Sequence, residues 1–155
     1  MTIRDRINEF YKRFLSLSGR PEEIARAMAL GVFIGVTPTI PFHTALVMII
    51  CLILRQNITA AMLGATIVSN PLTIPFFYLA EYELGVAVLG LDPNPFALAD
   101  YDVRAILEIG WHILYPLMVG GLILACLFTV PSYFISRYAV VNLRNRYVEP
   151  SEPSP

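Results

Sequence analysis

Residues 27–54 read AMALGVFIGVTPTIPFHTALVMIICLIL, and residues 58–80 read ITAAMLGATIVSNPLTIPFFYLA. Neither stretch contains Asp, Glu, Lys or Arg. Either is long enough, at roughly 20 residues per crossing, to traverse a hydrocarbon core. Both are also interrupted by proline, which removes a backbone donor and clashes with the preceding helical turn. Pro38 and Pro71 end one arm; Pro41 and Pro75 suit the first turn of the next, with Thr39 and Thr73 two residues earlier as expected caps. Each segment is therefore expected to be helix, break, helix. The first arm, residues 21–36, is about 24 Å long, and the second, residues 41–54, about 21 Å. Neither arm alone spans roughly 30 Å of hydrocarbon.

The two segments also resemble one another. TIPF occurs at 39–42 and again at 73–76, an offset of 34 residues. The same offset pairs Ala27 with Ala61 and Met28 with Met62, giving six identities over residues 27–42 where unrelated chains give roughly one. Ala27, Gly31 and Gly35 form one small-residue face, and Ala61, Ala65 and Ser69 form the other. Such faces let helix backbones approach closely in lipid. They are expected to pack the monomer, with a contact between copies as the alternative.

The rest of the chain agrees with a membrane setting. Of 155 residues, 56% are hydrophobic and 15% charged, and mean hydropathy is +0.62. A soluble domain has about 25% charged residues, and a chain this short has little interior in which to hide the excess apolar surface. A third charge-free segment covers 109–136, with Trp111 and Tyr115 at its start as an aromatic belt and Pro116 and Pro131 as expected kinks. Residues 1–20 hold five of the eleven basic residues and no apolar core of a signal peptide; Ile3, Ile7, Phe10, Phe14 and Leu17 recur at helical spacing, as in an interfacial amphipathic helix. Cys51 and Cys126 lie in apolar runs and read as small buried hydrophobes. Residues 148–155 are too polar and proline-rich to pack and are expected to be disordered.

The expected fold is thus an all-α integral membrane protein: an amphipathic helix (1–20) and a membrane domain (21–147). The domain comprises broken units at 21–54 and 58–91, a connection at 92–108, a helix at 109–136 and a basic end at 137–147. Arg4, Arg6, Lys12, Arg13, Arg20 and Arg26 precede the first segment, and Arg137, Arg144 and Arg146 follow the last. Arg104 alone is basic between 81 and 108. The positive-inside rule then places both termini in the cytoplasm and 92–108 outside. An even number of crossings requires one broken unit, most simply 27–54, to be re-entrant.

Residues 21–90 resemble the bacterial domain-of-unknown-function family 2062. PEEIARAMALGVFIGVTP (21–38), IPFHT (40–44), RQN (55–57) and SNPLTIPFFY (69–78) carry the resemblance. Where many members have glycine just after the first proline of the break, this chain has Thr39 and Ile40. The resemblance implies a bacterial inner-membrane protein without a settled activity.

No catalytic constellation is legible. His43 is the one histidine near a break, with no acid in its segment; two histidines and two distant cysteines do not make a metal site. No cofactor fingerprint is present, and a net charge of -1 gives no footprint for nucleic acid. Binding is the better-founded expectation. Helix starts present free N–H groups and a positive partial charge, and discontinuous helices can hold anionic groups that way. The candidate binding residues are Thr37, Pro38, Thr39, Pro41, His43, Thr44, Ser69, Asn70, Pro71, Thr73 and Pro75. The expected ligand is an anionic lipid or small molecule bearing phosphate or carboxylate. Glu81 and Glu83 are candidates for proton coupling, their simplest reading being interfacial and solvated. A transport pathway built from so few crossings requires a homo-oligomer. The alternative is a membrane scaffold whose breaks are purely structural.

Overall fold

The computed structural model describes residues 17, 19–39, 42–91 and 103–148. The expected amphipathic helix, apart from Leu17, Gly19 and Arg20, the stretch 92–102 and the tail beyond 148 lie outside the described residues, as do Ile40 and Pro41. Five helices and no strand occur among the described residues: α1 (Pro21–Val36), α2 (His43–Ile53), α3 (Ile58–Val68), α4 (Ile74–Leu89) and α5 (Val103–Val148).

The ends of α1 follow from its sequence. Pro21 stands at the first helical position, Glu22 and Glu23 lie in the first turn, and Glu23 reaches back to accept the Arg20 backbone N–H at 3.2 Å. The helix stops at Val36 because Pro38 cannot donate to Ile34. Asn57 caps α3 by accepting the Ala60 N–H at 3.1 Å. Gly90, at φ 63°, closes α4 in the left-handed conformation that glycine adopts without strain.

Small residues decide how the helices pack. A Cβ on Gly31 would land on the Ala61 carbonyl, and one on Gly64 would land on the carbonyl of Met28. Gly31 faces Ala61 and Ala65, while Gly35 faces Ala65 and Ser69. The numbers rise together, so α1 and α3 run parallel with their backbones in contact. Ala27, Ala61 and Ala65 are buried in the same core as Ile24, Ile34, Val47 and Cys51. On the other side of the molecule Gly85 faces Pro116 and Gly120 faces Glu81, so α4 and α5 run antiparallel at equally close range.

Helix α2 returns alongside α1. Arg55, Gln56 and Asn57, which follow α2, line one pocket with Glu23 and Arg26 at the start of α1. The chain therefore rises along α1, doubles back along α2, and rises again through α3 and α4. Helix α5 then descends beside them. Arg144 donates to the Leu17 carbonyl at 3.2 Å, and Arg137 pairs with Glu22 at 3.2 Å, which fixes the end of α5 beside the beginning of α1.

The third apolar segment differs from the sequence reading in length. The helix expected at 109–136 runs from Val103 to Val148, taking in part of the expected connection and all of the basic end. Nothing in those flanks breaks a helix. Two prolines, Pro116 and Pro131, lie inside it. Its Gly110–Asn145 stretch is long and apolar enough to cross a membrane, with mean hydropathy 2.3, and only 22% of its apolar window is buried within the chain. A core helix of a soluble protein is mostly buried. Helices α2 and α3 are apolar but have 11 residues each.

Candidate functional site

The two breaks adjoin. At the first, Thr37 donates both its N–H (3.2 Å) and its hydroxyl (2.9 Å) to the Phe33 carbonyl. The Thr39 N–H turns to the Thr37 carbonyl at 2.7 Å, and Phe42 N–H bonds the Thr39 carbonyl at 2.6 Å. At the second, the Ser69 hydroxyl crosses to the Gly35 carbonyl at 3.0 Å. This bond joins residues 34 apart and ties the end of α3 to the end of α1.

Thr73 departs from the expected capping role. It occupies the cap position of α4, yet its hydroxyl donates backwards to the Val68 and Asn70 carbonyls and accepts the Asn70 N–H at 3.2 Å. The carbonyls left over where α3 ends are a stronger demand on that hydroxyl than the free N–H groups of α4. Asn70 forms an Asx turn, its Oδ1 accepting the Leu72 N–H at 3.4 Å. Thr39 does not cap α2 either: its hydroxyl lies 3.4 Å from the Thr37 carbonyl, and α2 begins at His43 rather than at Pro41. Pro71, Pro75 and Thr44 are exposed, whereas Thr37, Pro38, Thr39, His43, Ser69, Asn70 and Thr73 are half-buried. The His43 ring nitrogen Nε2 lies 3.4 Å from the Thr44 hydroxyl, and Nδ1 is buried without a partner among the described residues.

Helices α2 and α4 follow the two breaks and run in opposite directions, α2 back along α1 and α4 onward along α5. Each break is thus followed by the positive end of a helix.

The largest departure from the sequence reading is Glu81. Read as interfacial and solvated, it is fully buried, 0% exposed, and neither carboxyl oxygen has a hydrogen-bond partner among the described residues. Glu83, two positions on and facing elsewhere, is exposed. A methyl placed on Gly121 would stand 2.5 Å from the Pro38 ring and 3.5 Å from the Glu81 carboxyl carbon. The acid of α4, the proline of the first break and the glycine pair of α5 thus share one point. The signal was present in the sequence. With the break at 69–73, Glu81 falls halfway along α4, on the same face as Gly85, and Gly120–Gly121 is the one double glycine in the third segment.

Cys51 is buried, but Cys126 is exposed and both are free thiols; the face of α5 that carries Cys126 points away from its neighbours. Among the described residues, no group of three or more His, Cys, Asp and Glu side chains converges on a metal position.

Residues 4–149 match the family model described as "Uncharacterized protein conserved in bacteria (DUF2062)". That covers nearly the whole chain, and the protein belongs to this family. No curated protein and no solved structure matches it.

Proposed function

We propose that the protein is a multi-pass inner-membrane protein that binds, and as a homo-oligomer translocates, an anionic ligand where its helix breaks meet. In this reading α1 and α2 form a re-entrant hairpin, α3 and α4 together make one crossing, and α5 makes the other. Both termini lie in the cytoplasm, and the two broken units are a 34-residue repeat. The observation that carries the reading is the Ser69–Gly35 bond, which ties the two breaks together; α2 and α4 are the helices that follow those breaks. The positive ends of two half-helices favour a phosphate or carboxylate. His43, on the first turn of α2, supplies a further donor. Non-helical backbone within a bilayer is tolerated where protein or a cavity shelters it, and the junction is half-buried.

The test is binding of a polyprenyl phosphate to purified protein in detergent, against the corresponding polyprenol and against inorganic phosphate. The phosphate-bearing lipid is expected to bind at least tenfold more tightly than the alcohol. His43→Ala and Asn70→Asp should weaken it while leaving the melting temperature near wild type. Asn70→Asp keeps the acceptor for the Leu72 N–H and adds a repelling charge. Equal affinity for phosphate and alcohol would contradict the reading.

One observation favours a second reading, a scaffold with purely structural breaks. The side-chain oxygens of Ser69, Asn70 and Thr73 all engage backbone groups. On that reading neither variant changes ligand binding, and each alters only stability.

A further inference from the structure

The Glu81 carboxyl lies beside the break that ends α1, an unfavourable place for an ionised acid. Its neighbours are Pro38, Gly120 and Gly121, and Pro38 follows directly on the C-terminal end of α1. That end carries a negative partial charge. Its carbonyls are also incompletely used. Pro38 has no N–H, so the Ile34 carbonyl lacks its i+4 donor. The Thr39 N–H, which would serve Gly35 in a continuing helix, bonds Thr37 instead, and the Gly35 carbonyl relies on Ser69. A buried carboxylate with neither a hydrogen bond nor a counter-charge is strongly disfavoured.

No cation on the neighbouring elements relieves it. Helix α1 has no charged residue after Arg26, and α5 has none between Glu108 and Arg137. The titratable groups in the same part of α5 are His112, Tyr115, Cys126 and Tyr133, the first three exposed. On α4 itself they are Tyr78, Tyr82 and the exposed Glu83. His43, at the start of α2, is the titratable side chain nearest in sequence to the first break.

We propose that the Glu81 carboxyl and the carbonyl end of α1 together form a site for a monovalent cation, either a proton or a sodium ion. As a proton, the ligand makes Glu81 a donor towards the carbonyl end of α1, where the Ile34 carbonyl lacks its helical donor. As sodium, it is held by the carboxylate and that same carbonyl end, the arrangement that interrupted membrane helices offer to coupling ions. The site deepens the reading of the breaks as a ligand junction. Helix starts there receive the anion, and the helix end beside them receives the cation that compensates it.

The test needs no phosphate ligand, so its failure and the failure of anion binding are separate results. Wild type and Glu81→Gln are melted in detergent in sodium and in N-methylglucamine salts of one anion, from about pH 5 to about pH 9. A sodium site raises the wild-type melting temperature by a few degrees in sodium and leaves Glu81→Gln unmoved. A proton site makes the wild type less stable as pH rises, since the folded protein then holds a proton that the unfolded chain releases, and the Gln variant loses that slope. Identical sodium and pH responses in the two proteins would overturn the proposal. Should Glu81→Gln fail to accumulate, infrared spectra of wild type with carboxyl-labelled glutamate decide. Support is a protonated-carboxyl band at neutral pH or a carboxylate band shifted by sodium; the absence of both overturns the site.

Discussion

Gly31 and Gly120 occupy equivalent situations in different helix pairs: each lets a neighbouring carbonyl rest where a side chain would begin. Replacing either with alanine forces two backbones apart. Overpacking of this kind costs about 1–3 kcal/mol. Gly31→Ala and Gly120→Ala should therefore melt well below wild type, whereas Gly110→Ala, with open space around it, should be neutral or gain about 0.5–1 kcal/mol from better helix propensity. Thermal melts of the three variants in one detergent check this. Glu22 offers a pH-dependent counterpart at the polar end. Its own backbone N–H and the Arg137 guanidinium hold its carboxyl below the usual 4.5. A depressed value in the folded state means stability that is present above 4.5 and lost as pH falls through the lower folded value. Arg137→Ala should flatten the acid limb of the stability–pH curve, with little change at neutral pH, because the pair is exposed.

At the scale of elements, the sequence was most legible where proline and glycine dictate backbone. Pro21 and Pro38 bracket α1, and its observed limits, Pro21–Val36, coincide with the arm read from them. The small residues at 31, 35, 61 and 65 were visible as two rows, and the structure sets those rows face to face. Legibility failed where a side chain had two backbone clients. Thr73 stands where a cap belongs, but whether its hydroxyl serves the helix behind or the helix ahead depends on the three-dimensional turn. Glu81 was misplaced for a related reason: its depth follows from how α4 lies on α5, and no local pattern fixes that. The inter-break bond yields a direct prediction. Ser69→Ala removes the donor to Gly35 and should cost about 1 kcal/mol, measured as a lowered melting temperature. Ser69→Thr, which keeps the hydroxyl, should lose less.

Across the whole molecule, apolar surface remains uncovered. Phe42, Ile53, Leu72, Phe76, Trp111 and Tyr138 are each at least about two-thirds exposed, on α2, α4, α5 and both breaks. Exposed apolar area of that extent calls for lipid or another chain, in keeping with the proposed bilayer setting and homo-oligomer. The proposed topology depends on the return of α2. If α1 and α2 form a hairpin that enters and leaves on one face, Gln56 lies on the same side as Arg20, and Leu91, past the end of α4, lies on the other. Single cysteines at positions 56 and 91, in a chain with Cys51 and Cys126 replaced by serine, can be probed with an impermeant thiol reagent on sealed cells and on inverted vesicles. Position 91 is expected to label from outside the cell, and position 56 only from the cytoplasmic face. Labelling of both positions from the same face would contradict the proposed topology.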